Sequence, residues 1–400
     1  MPRQPVHVPL QSRGLCPRPG TKGDLLIMKR FVMGLALLAG CITTTRQAEP
    51  PATTQQPAAP AKAEAPRVQD SIYVFQGVEV FGSRKVAREK LLGLLTLPAP
   101  GTRLDTKNEP RQKEFVANLI ESKKRLTDLG AFAFIRMSVG QNQDHTMGVT
   151  VDLVDTGDEW RMRFHPEPTG EVADPEGLLA AWSDYLKTFW KLRNEGAVPE
   201  WGLGTCRAPL GCYGGFEHPE LAPLEQRFIE GVPRSADALV RVLREDKDGG
   251  KRMNALMLLT YLSSPEQLVK ALLPSVRDSN EGVRNEALRR LGTAVERSKK
   301  PGLVPLEPVL EALWFPLASD RNKAGWTLVH IMEVEGSVHR RQILDKAGEV
   351  LVEMAGMRSG MDHEPARKVL AQLAGQDFGA DTAAWRRWFE QARGAGSQRR

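Results

Sequence analysis

The chain has 400 residues, 41% hydrophobic and 26% charged, with 55 Lys and Arg against 49 Asp and Glu for a formal net charge of +6. That balance belongs to a folded globular protein and excludes a collagen-like or wholly disordered chain. Acidic residues are interleaved with basic ones almost throughout, so no basic stripe with aromatics forms and nucleic acid is not an expected partner.

In chain order, residues 1–27 are proline-rich and basic and match neither a signal nor a folded domain; they are expected to be a leader from a start codon assigned too early. Residues 28–40 have the layout of a secretory signal: Met28-Lys29-Arg30, an apolar run from Phe31 to Leu38, then Ala39 and Gly40. The run is far shorter than the roughly 20 residues a membrane-spanning helix needs. Leu38-Ala39-Gly40-Cys41 resembles the lipobox of bacterial lipoproteins. The resemblance implies cleavage before Cys41, diacylation of its thiol and a stable multi-chain membrane anchor. Ile42 stands where Asp would signal inner-membrane retention in some bacteria, which points to the outer membrane, facing the periplasm. Residues 41–71 are dominated by Thr, Ala, Pro and Gln and are expected to be a disordered, semi-extended tether.

Residues 72–156 are expected to form a small α+β domain. Tyr73, Phe75, Val78 and Val80 alternate along a strand. Ser83 caps a helix to about Leu95, and Glu109 to Leu129 is a second helix stopped by Gly130. Phe132–Val139 and Met147–Val154 form a hairpin. The order strand, helix, helix, strand, strand, with Val78-Glu79-Val80-Phe81-Gly82, Leu129-Gly130-Ala131-Phe132 and Val149–Val154, resembles a POTRA domain. That resemblance implies a docking role in which an exposed sheet edge accepts a partner's strand.

Residues 157–232 are expected to be a helical and loop connector, with a helix over Asp174–Arg193 whose apolar face is Leu178, Leu179, Trp182, Leu186, Phe189 and Trp190. Of the 4 cysteines, Cys16 lies in the leader and Cys41 at the anchor, leaving Cys206 and Cys212 in a glycine-rich loop. In an oxidising compartment a disulfide is the favoured reading. The competing one is a metal site built from Cys206, Cys212, His218 and His165, with spacings unlike common zinc modules.

Residues 233–392 repeat. Asp246 and Arg252 align with Asp278 and Arg284 at an offset of 32, and Leu259 falls on Leu291. Weaker copies follow at Asp320-Arg321-Asn322-Lys323-Ala324 with Leu328, and at His363-Glu364-Pro365-Ala366 with Leu370. Asp followed by Arg-x-x-Ala-Leu-x-x-Leu resembles the HEAT repeat, which implies an all-α solenoid of stacked helical hairpins. Asp246, Asp278 and Asp320 are expected at the turn between the helices of each hairpin, capping the second helix or tying turns together. Arg252, Arg284 and Arg321 are expected to pair with acids of a neighbouring copy. Asp381 as an N-cap, with Trp385, Trp388 and Phe389, marks a helix that closes the stack, and residues 393–400 are expected to be a disordered tail.

Walker, G-x-S-x-G, H-E-x-x-H and H-x-E with C-x-x-C motifs are missing, so neither an enzyme nor a cofactor is expected. The expected function is a lipid-anchored envelope scaffold that binds envelope proteins. The alternatives are a metal- or ligand-binding envelope enzyme or sensor centred on residues 157–232, and a structural protein with no dedicated partner.

Overall fold

The computed structural model describes residues 71–397, apart from residue 143 and residues 199–206 and 212–217. These residues form two compact units that divide between Leu153 and Val154.

The first unit is a mixed four-stranded sheet with two helices. Strand β1 (Ile72–Phe81) pairs antiparallel with the short β2 (Arg103–Asp105) and parallel with β4 (Thr146–Asp155). Strand β3 (Phe132–Gln141) lies on the far side of β4, giving the order β2-β1-β4-β3. Tyr73, Phe75, Val78 and Val80 all face one core, although strict alternation would send the second pair to the opposite face. A shift in register between Phe75 and Val78 accommodates them, at Gly77 with φ of 101°. This is the geometry of a bulge, which inserts a residue and restores the inward face. Met147, Val149, Val151 and Leu153 supply the same core from β4.

Helices α1 (Arg88–Gly93) and α2 (Glu109–Asp128) contribute Leu91, Phe115, Leu119 and Leu126 to that core. Asn108 caps α2 by accepting from the Arg111 amide at 3.2 Å. The buried Ser122 accepts from the Thr96 amide at 2.9 Å, fixing the loop after α1. Two details depart from the sequence reading. Ser83 does not cap α1; its Oγ accepts from the Val86 amide at 3.3 Å in a turn, and the helix starts at Arg88. The three-residue β2 carries no alternation long enough to announce a strand.

The second unit is mostly helical. It comprises α3 (Leu178–Asn194), α4 (Ala222–Arg234), α5 (Ala236–Glu245), α6 (Gly249–Leu259), α7 (Pro265–Leu272, continued as a 3₁₀ turn to Arg277) and α8 (Glu281–Ser298). It continues with α9 (Leu306–Ala312), α10 (Ala318–Glu335), α11 (Arg340–Ala355), α12 (Gly360–Ala374) and α13 (Thr382–Ser397). Asp174 lies ahead of α3 and accepts from the Leu179 and Ala180 amides at 2.8 and 3.0 Å. Helices α6, α8, α10 and α12 pack side by side, and α11 lies against α9, α12 and α13. Asp381 accepts from the Ala384 amide at 2.9 Å, and Trp385 and Phe389 of α13 are buried. Helix α13 reaches Ser397, and its Arg393 pairs with Glu349 of α11 at 3.2 Å. Part of the segment expected to be a disordered tail is therefore helical.

Candidate functional site

The site that the sequence pattern singles out is a ladder of buried arginines and aspartates along α6, α8, α10 and α12. Each of the four helices places a long polar side chain at its fourth residue: Arg252, Arg284, Arg321 and His363. Each of these reaches back to a carbonyl six residues earlier. Arg252 Nη1 donates to Asp246 O at 2.9 Å, Arg284 Nη1 to Asp278 O at 2.8 Å, and Arg321 Nη1 to Phe315 O at 3.3 Å. His363 Nδ1 lies 3.0 Å from Met357 O. These carbonyls lie where the first helix of each hairpin ends.

The same guanidinium then reaches forward to the next hairpin. Arg252 binds Asp278 through two bonds, at 3.0 and 2.7 Å. Arg284 Nε donates to Asp320 at 3.1 Å, and Arg321 Nε to Asp362 at 3.0 Å. The Arg321 and Asp362 side chains are both 0% exposed. A buried pair of this kind contributes little net stability over well-packed apolar side chains, yet it penalises any arrangement that separates the charges. It therefore fixes the register of one hairpin on the next.

Asp246 begins the row and has a different environment. It accepts from the Val172 amide at 2.9 Å, the Asp248 amide at 2.8 Å and Lys251 Nζ at 3.2 Å. Burial alone would raise its carboxyl pKa; the two amides and Lys251 outweigh that and hold it below the usual carboxylate range.

Three expectations are refined. The N-caps of α6 and α8 are Asp248 and Asn280, not Asp246 and Asp278. Asp246 and Asp278 instead brace the turn by accepting from the amides two residues on. Asp320 lies inside α10 rather than in the turn before it. Because Asp320 directly precedes Arg321, it brings a carboxylate to Arg284 from the third residue of the helix. Asp362 does the same for Arg321 from the third residue of α12, and sequence reasoning missed it. The signal was present, since Asp362-His363 repeats the Asp320-Arg321 pattern. A second contact follows the same register: Asn285 and Asn322 donate to Ser319 O and Met361 O at 2.8 and 2.6 Å.

The other sequence candidates fare differently. Cys41, Cys206 and Cys212 lie outside the described residues. Within the cysteine loop, Ala208 and Leu210 are buried, and Arg297 Nη1 donates to Ala208 O and Pro209 O at 3.3 Å. The His165 amide donates to Arg277 O at 2.7 Å, and His218 Nδ1 accepts from the Glu220 amide at 3.3 Å. Among the described residues no group of three or more His, Cys, Asp or Glu side chains could hold a metal ion. Among the same residues no helix is long and apolar enough to cross a membrane.

A second polar feature lies between α3, α4 and the residues following α6. Trp182, Tyr185, Phe228 and Tyr261 pack with ring centroids 5.3 to 5.8 Å apart. Glu225 is 4% exposed beside them and accepts from the Tyr261 hydroxyl at 3.2 Å. Burial raises the Glu225 pKa, and Tyr261 and Arg207 only partly oppose this. The folded protein therefore favours the protonated form. That contribution to stability is complete below the unfolded carboxyl pKa near ~4.3 and is lost as pH rises through the higher folded value. Glu225→Gln keeps an acceptor for Tyr261 and removes the titration. Its stability relative to wild type is expected to climb between pH 4 and 8 in urea melts; a flat difference would show that the carboxylate is not penalised by its site.

Compared with protein-family models, curated proteins and solved structures, the chain matches none.

Proposed function

We propose that this protein is a lipid-anchored envelope scaffold, attached through Cys41, that binds envelope proteins through a HEAT-like helical stack and a POTRA-like module. The buried ladder carries this reading. Its arginines and aspartates are spent on holding consecutive hairpins in register, as a stack that offers a long, rigid surface requires. In the same reading the module at residues 72–156 contributes β3, a ten-residue strand at the edge of its sheet, as a place for strand addition. No catalytic role is assigned to any residue.

The anchor and the partner are tested in one experiment. Wild type and Cys41→Ser are expressed with a radiolabelled acyl precursor, crosslinked in intact cells, and the captured proteins are identified. Wild type is expected to be labelled, membrane-bound and linked to a small reproducible set of envelope proteins. Cys41→Ser is expected to lose the label, leave the membrane fraction and lose that set. A Cys41→Ser protein that stays labelled in the membrane would overturn the anchor. A wild-type protein that captures nothing above background would overturn the scaffold.

A further inference from the structure

We infer that residues 159–172 form a built-in brace that ties together the turns of three successive hairpins and fixes their spacing. The segment runs across the helical unit in the direction opposite to the hairpins themselves. At the third turn, Arg161 is 3% exposed and donates Nε to Trp314 O at 2.7 Å, while the Trp160 ring lies 5.7 Å from that of Trp314. Phe164 comes next. Its ring and that of Phe315 form a T-shaped pair with centroids 5.0 Å apart, and the Arg284 guanidinium carbon lies 3.8 Å from its ring centroid. Phe164 thereby roofs the Arg284–Asp320 pair with an aromatic face, which attracts the cation and excludes water.

At the second turn the His165 amide donates to Arg277 O at 2.7 Å, and Arg277 Nη1 returns a bond to Arg163 O at 2.8 Å. At the first turn the segment pairs like a short strand. Gly170 N donates to Glu245 O at 3.1 Å, and Lys247 N donates to Gly170 O at 2.8 Å. Val172 N then binds the Asp246 carboxylate at 2.9 Å. Gly170 has no room for a side chain, since a Cβ there would fall 2.7 Å from Glu245 O. Pro166 and Pro168 stiffen the stretch between the second and first turns.

In a stack of hairpins each unit contacts only its neighbours, so small displacements accumulate along it. The brace adds what the ladder lacks, one short stretch of chain that bonds to the first, second and third turns alike. It makes the first three hairpins one mechanical unit.

Amide hydrogen exchange on the full chain tests this, with Gly170→Val and with a variant carrying three glycines inserted after Glu167. Gly170→Val is expected to speed exchange at the Lys247 and Val172 amides at least tenfold and at the Phe315 and Leu317 amides of the third turn several-fold. The interiors of α8 and α10 should remain protected. The insertion removes no contact but uncouples the ends, so exchange is expected to rise at all three turns. Fast exchange confined to Lys247 and Val172 in Gly170→Val would overturn the brace, as would turns in the insertion variant that remain as protected as in wild type. If Gly170→Val does not fold, the insertion variant decides alone.

Discussion

Arg321→Ala is expected to destabilise the helical unit by about 3–5 kcal/mol, the range for removing one partner of a buried ion pair. Arg321 and Asp362 are both 0% exposed, so truncation leaves a carboxylate in the interior without its guanidinium. It also removes the donor to Phe315 O and Pro316 O, at 3.3 and 2.5 Å, which close the preceding turn. The double variant Arg321→Met, Asp362→Leu removes both charges and refills the volume. It is expected to recover most of the loss, because replacing a buried pair with apolar side chains is often close to neutral. Urea denaturation followed by far-ultraviolet circular dichroism provides the comparison, with the helical transition fitted separately because the chain has two compact units. A single variant that costs under 1 kcal/mol would mean that Asp362 finds water or another donor. The ladder would then not set the register.

The ladder also shows what a sequence can and cannot disclose. Arg252 and Arg284 recur at an offset of 32, each with Asp six residues before it, Gly two before it and Ala-Leu starting three after it, so their equivalence is visible in the text of the chain. The third and fourth copies hide it. There the carboxylate has moved from the turn, as at Asp246 and Asp278, to the residue just before the Arg or His, as at Asp320 and Asp362. Both positions deliver an oxygen to the same place, but only coordinates show that a turn residue and a helix residue are interchangeable. The first unit has the same division. The inward set Tyr73, Phe75, Val78 and Val80 is legible as apolar residues, whereas the bulge that brings both pairs to one face depends on the pairing of β1 with β4. Residues 159–172 were opaque for a related reason. Beyond a 3₁₀ turn at Glu159–Met162 their structure is irregular, with bonds to partners more than 70 residues away, such as that from Val172 to Asp246, and no local periodicity encodes those partners.

The close packing that the ladder registers has its own test. Ala255, Ala287, Ala324 and Ala366 each lie three residues after the ladder residue of their helix, and all are 0% exposed. Nothing larger than a methyl group recurs at this position, which is what adjoining helices at close distance require. Ala287→Arg introduces a long side chain where the interior is already filled, costing about 1–3 kcal/mol by overpacking alone. It also places a charge without an assigned acid in the interior, for which the penalty is several kcal/mol more. The expected result is loss of the helical transition at 37 °C. A reversal at an exposed position of the same row of helices, Glu364→Lys, should change stability by no more than about 0.5 kcal/mol. Thermal melts of the two variants side by side decide the matter. If Ala287→Arg folds with a melting temperature within a few degrees of wild type, α8 has space at that position and the helices are not held at close contact there. If it unfolds while Glu364→Lys does not, the buried alanine column and the ladder act together: one sets how near the helices approach, the other at what register. The exposed face of α12 is then open to charge changes that probe partner capture without disturbing the fold.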